Sequence, residues 1–139
     1  MVVGTATVED DYKLRFVRGP VPCHQPDPIL LKEFNQLAGS LEFSFRVHFG
    51  RIESGDEDVI DPLRAQEIRA ATDAVCVAWE GSGGARAACF SGLSFLEVRC
   101  ITDGADSSAA ASFHENLKKV MPNVAELLVV WHASKQMAA

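Results

Sequence analysis

Two apolar segments that each lead to an acidic residue, with a glycine-rich turn between them, constrain the fold of this chain most strongly. Residues 75–79 precede Glu80, and residues 95–101 lead to Asp103. The Gly-Ser-Gly-Gly sequence after Glu80 opens a predicted helix over residues 82–90. A strand, a helix and a strand in this order predict a right-handed parallel crossover. Because ligands bind at the carboxyl ends of the strands of an open α/β sheet, we expect Glu80 and Asp103 to flank a ligand site.

Strands and helices alternate along the rest of the chain, which predicts an α/β fold. β-branched residues favour a strand at the start, and alternating apolar residues favour another near the middle. Asp-Pro pairs at Asp27 and Asp61 predict helix starts, because aspartate caps a helix and proline suits its first turn. A proline-rich loop spans residues 18–28, and Pro122 is expected to kink or divide a C-terminal helix. The predicted strands are residues 2–8, 43–52, 75–79 and 95–101, and the other predicted helices are residues 28–38 and 63–71.

The length and composition favour one ordinary globular domain. The 139 residues are enough for a real core, and we expect a single domain over residues 1–139. Apolar residues make up 47% and charged residues 23%, which is typical of a soluble protein. No apolar run approaches membrane-spanning length, and the first residues lack the layout of a signal peptide. We therefore expect a cytoplasmic protein with no membrane partner.

Charge, cysteine and histidine usage exclude several classes of partner. The formal net charge of −6 argues against nucleic acid, because a phosphate backbone is normally met by a basic face. The cysteines form no C-x-x-C pair, which favours buried, reduced thiols. The histidines show no metal-ligand spacing, so no metal is expected. These residues are Cys23, Cys76, Cys89, Cys100, His24, His48, His114 and His132.

Three motifs carry a family resemblance. They are Ser-Gly-Asp at residues 54–56, Ala-Trp-Glu-Gly at residues 78–81 and Val-Arg-Cys-Ile-Thr-Asp-Gly-Ala-Asp at residues 98–106. Their order and spacing resemble the nucleoside phosphorylase and nucleosidase superfamily, with methylthioadenosine/S-adenosylhomocysteine nucleosidases nearest. That family has methionine and serine where this chain has Trp79 and Thr102. The resemblance implies a three-layer fold, with a central sheet flanked by helices and truncated at its N-terminal side.

The resemblance also implies roles for individual residues in cleaving an N-glycosidic bond. Asp103 would give a proton to the purine near N7, and an enclosed apolar site would keep its carboxyl protonated near pH 7. Glu80 would accept hydrogen bonds from the ribose hydroxyls and place negative charge beneath an oxocarbenium-like sugar. Trp79 would pack against the sugar or the base. The remaining implied residues are Asp58, Val59 and Thr102 as substrate contacts, with Asp58 at a place where family members often have a stacking aromatic ring, and Arg99 as a supporting residue.

Simpler interpretations stay open for these residues. Without the resemblance, Asp103 is equally compatible with a turn or capping residue before Gly104, and Glu80 with a solvated charge; the resemblance favours the functional roles. The glycine-rich turn lacks the Lys-Ser/Thr of a phosphate loop, and Arg86 replaces the third glycine of a dinucleotide motif, so no cofactor is expected.

The resemblance begins in the middle of the family domain, so the phosphate or water site and the water-activating glutamate have no counterpart in this sequence. We therefore expect a second copy or a complementary chain to complete the site. Two hypotheses remain: an enzyme subunit that cleaves purine nucleosides after assembly, and a non-catalytic module that binds a purine nucleoside or adenine. Hydrolysis and phosphorolysis are both compatible with the sequence.

Overall fold

The computed structural model describes residues 1–12, 16 and 19–138. Within them, strands and helices form a mixed α/β fold with a sheet flanked by helices, as predicted. The strands are β1 (Val2–Val8), β2 (Cys23–His24), β3 (His48–Ser54), β4 (Ala74–Ala78) and β5 (Val98–Arg99). The helices are α1 (Pro28–Ser40), α2 (Pro62–Thr72), α3 (Gly81–Ser91) and α4 (Ala109–Ala138).

The sheet is parallel through its centre, in the order β2-β1-β3-β4. β1 pairs in parallel with β3, and β3 pairs in parallel with β4. β2 and β5 run antiparallel to β1, with β2 beside the end of β1 and β5 beside its start. The carboxyl ends of β3 and β4 therefore meet at one edge of the sheet.

The predicted parallel crossover from β4 to β5 is wrong. β5 pairs with Val2 and Val3 of β1 in antiparallel register, so it runs against β4 and is not its neighbour. α3 packs against both β1 and β3. The chain therefore crosses over β3 between β4 and β5, and β5 pairs with the side of β1 that faces away from β3. β5 is also much shorter than predicted, because the described ladder pairs only two of its residues with β1.

The predicted strand over residues 43–52 is shifted along the chain. β3 begins at His48, while Phe43, Phe45 and Val47 pack against the hydrophobic core as part of an irregular segment. The rings of Phe43 and Phe45 lie 5.1 Å apart between centroids. Their alternation therefore comes from packing against the core and not from pairing in the sheet.

Both predicted Asp-Pro helix starts are confirmed. The Asp27 carboxylate accepts hydrogen bonds from the N–H groups of Ile29 and Leu30, and the Asp61 carboxylate accepts one from Leu63. The proline-rich segment before α1 contains the short strand β2, which was not predicted from the sequence. The start of the predicted loop, at residue 18, lies outside the described residues, as do residues 13–15 and 17. α4 runs through Pro122 without division.

The core lies between the sheet and the helices α1 and α4. Val3, Phe34, Leu37 and Leu127 form its buried centre, and the ring of Trp131 stacks on Phe34 at 5.5 Å between centroids. α4 is therefore held against α1 by aromatic and aliphatic contacts.

The expectation of buried cysteines is wrong for two of the four. Cys23 and Cys89 are exposed, because β2 lies at the sheet edge and Cys89 lies on the outer face of α3. Cys76 and Cys100 are partly buried, and all four thiols are free. Across residues 1–12, 16 and 19–138, no group of three or more His, Cys, Asp or Glu side chains is arranged to hold a metal ion. Among the helices of this same part of the chain, none combines the length and apolar character needed to cross a bilayer.

Candidate functional site

Glu80 lies between the end of β4 and the first residue of α3. It occupies the N-cap position, but its side chain makes no capping hydrogen bond. Instead its carboxylate accepts from the guanidinium of Arg99, with Oε2 2.8 Å from Nη1. This hydrogen bond holds the pKa of Glu80 below its ordinary value. The carboxylate is therefore ionised at neutral pH and largely exposed, which leaves acceptor sites for a ligand.

Arg99 is held from its other side by a second carboxylate. Its Nε lies 2.8 Å from Oε1 of Glu97, and Glu97 is only 6% exposed. The hydroxyl of Thr7 in β1 donates to Oε2 of Glu97 at 2.5 Å. Sequence reasoning missed Glu97, although one signal was present: a charged residue two positions before Arg99 on a strand shares its face.

Asp103 lies in the turn between β5 and α4. Its carboxylate accepts hydrogen bonds from the hydroxyl of Thr102 at 2.8 Å and from the N–H of Ala105 at 3.0 Å. The carbonyl of Thr102 accepts from the side-chain amide of Asn116 in α4 at 2.9 Å, which anchors the turn. Ala105 adopts a left-handed backbone with φ 53°. Asp103 thus has the contacts of the turn residue that its sequence also suggested.

Trp79 connects the end of β4 to the loop after β3. Its indole N–H donates to the carbonyl of Glu57 at 3.2 Å. The buried hydroxyl of Ser54, at the end of β3, donates to the carbonyl of Trp79 at 3.1 Å and accepts from the N–H of Ser82 at 2.9 Å. The first residue of the Ser-Gly-Asp motif therefore ties two strand ends to the start of α3.

The loop after β3 carries the other two predicted substrate contacts. Asp58 is exposed, whereas the side chain of Val59 is buried. Asp58 lines an open surface cleft together with Glu57 and Arg64. That cleft includes neither Glu80 nor Asp103.

The structure brings some of the predicted residues into direct contact with one another. Glu80 and Arg99 are in direct contact, and Trp79 contacts the loop of Asp58. Asp103, by contrast, bonds within its own turn.

The comparisons with known proteins place this arrangement in a family. A model of the phosphorylase superfamily matches residues 1–130. The chain therefore belongs to the phosphorylase superfamily, and both the resemblance and the α/β fold expected from its motifs are confirmed.

Solved structures agree with this assignment. The 5′-methylthioadenosine/S-adenosylhomocysteine nucleosidase from Neisseria meningitidis, in complex with methylthio-immucillin-A, is similar with 28% sequence identity and a TM-score of 0.83. Futalosine hydrolase of Helicobacter pylori strain 26695 has the same fold, with 23% identity and a TM-score of 0.85. The match covers 96% of this chain in each case, but only 61% of the first protein and 59% of the second. No curated protein matches the chain.

Proposed function

We propose that this chain provides the nucleoside-recognition part of a nucleosidase that cleaves the N-glycosidic bond of adenine nucleosides. The observation that carries the proposal is Glu80, an ionised and accessible carboxylate that Arg99 orients at the end of β4. The similar Neisseria nucleosidase binds methylthio-immucillin-A, which supports a nucleoside ligand with an adenine-like base.

Glu80 and Arg99 act on the sugar in this proposal. An ionised carboxylate offers two acceptor oxygens for two vicinal hydroxyls, so Glu80 orients the ribose. As the glycosidic bond breaks, positive charge develops on the ribose ring, and the negative charge of Glu80 stabilises it. Arg99 keeps Glu80 ionised without covering it, because Glu80 remains about two-thirds exposed.

Asp103 acts on the base. The electron pair of the breaking bond moves into the purine, and Asp103 delivers a proton to that purine near N7. Water held in the part of the site that assembly supplies adds to the anomeric carbon and loses a proton, so each turnover takes up one proton and releases one. The hydroxyl of Thr102 holds the Asp103 carboxyl in place. Trp79 packs against the nucleoside, while Asp58 and Val59 belong to the segment that contacts the base edge. No cofactor is part of this proposal.

Assembly completes the site in this proposal, through a second copy or a complementary chain. Large apolar side chains on the surface support a covering partner: Phe90 is 95% exposed, and Leu93 and Val129 are also exposed. Burying such side chains stabilises an interface, whereas leaving them in water does not.

A second candidate function is nucleoside binding without turnover. The contacts of Asp103 favour it, because both carboxylate oxygens already accept hydrogen bonds within the turn. In both contacts Asp103 is the acceptor, whereas proton transfer to the purine requires it to donate.

Titration calorimetry with methylthioadenosine and adenine, combined with chromatography of released adenine, tests both functions. We expect binding of methylthioadenosine, and release that Asp103→Asn lowers by about 100-fold or more. Glu80→Gln is expected to weaken methylthioadenosine binding by about tenfold, through loss of a charge-assisted acceptor. Glu115→Gln, which changes an exposed acid in α4, is the matched control.

The outcomes separate the candidates. Binding without release in an oligomer confirmed by sedimentation supports the non-catalytic module. Failure to bind either compound contradicts both functions.

A further inference from the structure

Glu97 and Glu80 share a single cation although they lie in different environments. Arg99 contacts Glu97 through Nε and Glu80 through Nη1, each at 2.8 Å. Glu97 is buried, whereas the Glu80 side chain is 69% exposed. The guanidinium thus has a fixed inner partner and an outer partner that faces solvent.

One further hydrogen bond and the space left by a glycine position Glu97 itself. Thr7 in β1 donates its hydroxyl to one carboxylate oxygen of Glu97. Gly81 leaves room for the carboxylate at the start of α3, since a Cβ at this position would overlap both oxygens of Glu97. The carboxylate of Glu97 therefore lies beside the start of α3. Glu97 is thus held by Thr7 on one side and by Arg99 on the other, in space that Gly81 leaves open.

An exposed ion pair is weak mainly because two long side chains must be held in one geometry. Glu97 lowers this entropic cost for the ion pair between Arg99 and Glu80, because it already holds the guanidinium of Arg99 in place. Glu80 then meets a donor that is already placed. A charge-assisted hydrogen bond to a fixed donor is stronger than one to a mobile side chain.

We propose that Glu97 is a positioning residue, which fixes Arg99 so that Glu80 faces the ribose hydroxyls of the ligand. The contact between Glu80 and the ribose rests on the proposed function, whereas the positioning of Glu80 is a property of the ligand-free chain. Glu97 never touches the ligand in this arrangement, and it acts through Arg99.

Two substitutions disturb Glu97 without changing any charge. Gly81→Ala places a methyl group where the carboxylate lies, and Thr7→Val removes the hydroxyl that holds it. Changing Glu97 itself would also remove a negative charge near Arg99, so the loss of positioning could not be separated from the loss of charge. Gly83→Ala is the matched control. Gly83 lies in the same helix, α3, and a Cβ at this position meets nothing within 4 Å.

The first measurement is an NMR titration of the Glu80 carboxyl in the ligand-free protein. We expect Gly81→Ala and Thr7→Val to raise the pKa of Glu80 toward its ordinary value, because Arg99 loses its inner anchor. Glu97, directly before β5, is a charged group beside the pair of Glu80 and Arg99, and the thiol of Cys76 on β4 interacts electrostatically with both Glu97 and Arg99. Gly83→Ala is expected to leave the titration unchanged. An unchanged or lowered pKa in both folded variants overturns the proposal.

The second measurement compares methylthioadenosine with adenine, which lacks the ribose. Both variants are expected to lose about tenfold in affinity for methylthioadenosine and none for adenine. An equal loss for both compounds indicates general damage to the fold and contradicts positioning. If the wild type binds neither compound, the proposed function fails, and the Glu80 titration alone decides the role of Glu97.

Discussion

At the scale of single residues, Glu53 places an ionisable carboxyl inside the protein near the end of β3. Burial raises the pKa of Glu53 to about 7, and the negative charges of Asp10 and Asp11 add to the effect. The ordinary value is 4.5, so the folded chain binds this proton more tightly than the unfolded chain does. The contribution of Glu53 to the free energy of unfolding is therefore greatest below about pH 4.5 and is lost as the pH rises toward 7.

Glu53→Gln is expected to remove this dependence on pH. Relative to the variant, the wild type should lose on the order of 1–3 kcal/mol of stability between about pH 4.5 and 7. Urea denaturation at a series of pH values measures the difference between the two proteins. A constant difference across this range would show that Glu53 keeps an ordinary pKa in the folded state.

Glu80 and Asp103 could be selected from the sequence because each follows an apolar segment, and Arg99 because it belongs to the motif at residues 98–106. Glu97 could not be selected in the same way, because its partners Thr7 and Gly81 come from distant parts of the chain. A buried carboxylate depends on tertiary contacts for its stability, and local patterns do not contain them. The role of each of these residues in binding or cleavage stays a prediction.

At the scale of elements, two helices end in the same left-handed conformation with different residues. Asp73 follows α2 with φ 58°, and Gly92 follows α3 with φ 65°. Glycine adopts this backbone freely, whereas a side chain makes it unfavourable. The two helix ends therefore offer a pair of opposite substitutions.

Asp73→Gly is expected to stabilise the protein by about 0.5–1 kcal/mol, and Gly92→Ala to destabilise it by about 1 kcal/mol. A Cβ at position 92 meets no atom within 4 Å, so the backbone alone determines the second effect. Thermal unfolding of both variants measures the two changes. Changes of the same sign would contradict this explanation.

Helix starts were predictable, whereas strand pairing was not. An aspartate before a proline acts on its own neighbours, so the sequence contains the whole cause of the starts of α1 and α2. The orientation of β5 depends on where α3 packs across the sheet, which involves residues far apart in the chain. The alternation of apolar and polar residues over residues 43–47 suits a strand as well as an irregular segment. These apolar side chains pack against the core because α1 and α4 contribute to the core beside them.

At the scale of the whole molecule, the docking of α4 joins the C-terminal part of the chain to the core. Leu127 is completely buried, whereas its neighbour Leu128 is 43% exposed. The indole N–H of Trp131 donates to Glu33 of α1 at 2.9 Å, and Lys135 pairs with the same carboxylate. Packing of one face of α4 therefore contributes directly to global stability.

Leu127→Ala is expected to lower the free energy of unfolding by about 2–5 kcal/mol, because it leaves a cavity in the core. Leu128→Ala serves as the matched control and is expected to cost less than about 1 kcal/mol. Equilibrium urea unfolding of the two variants gives both values. Equal losses would mean that α4 does not dock through the face that contains Leu127.

The continuity of α4 gives the molecule a mechanical property. Asn116, near the start of α4, donates a hydrogen bond to the turn that contains Asp103. Leu127 packs α4 into the core eleven residues later, about 16 Å along the helix axis. If α4 moves as one rigid body, a small tilt about Leu127 would displace the turn of Asp103 along with Asn116. Substitutions in the core around Leu127 can therefore shift the turn of Asp103 without contacting it.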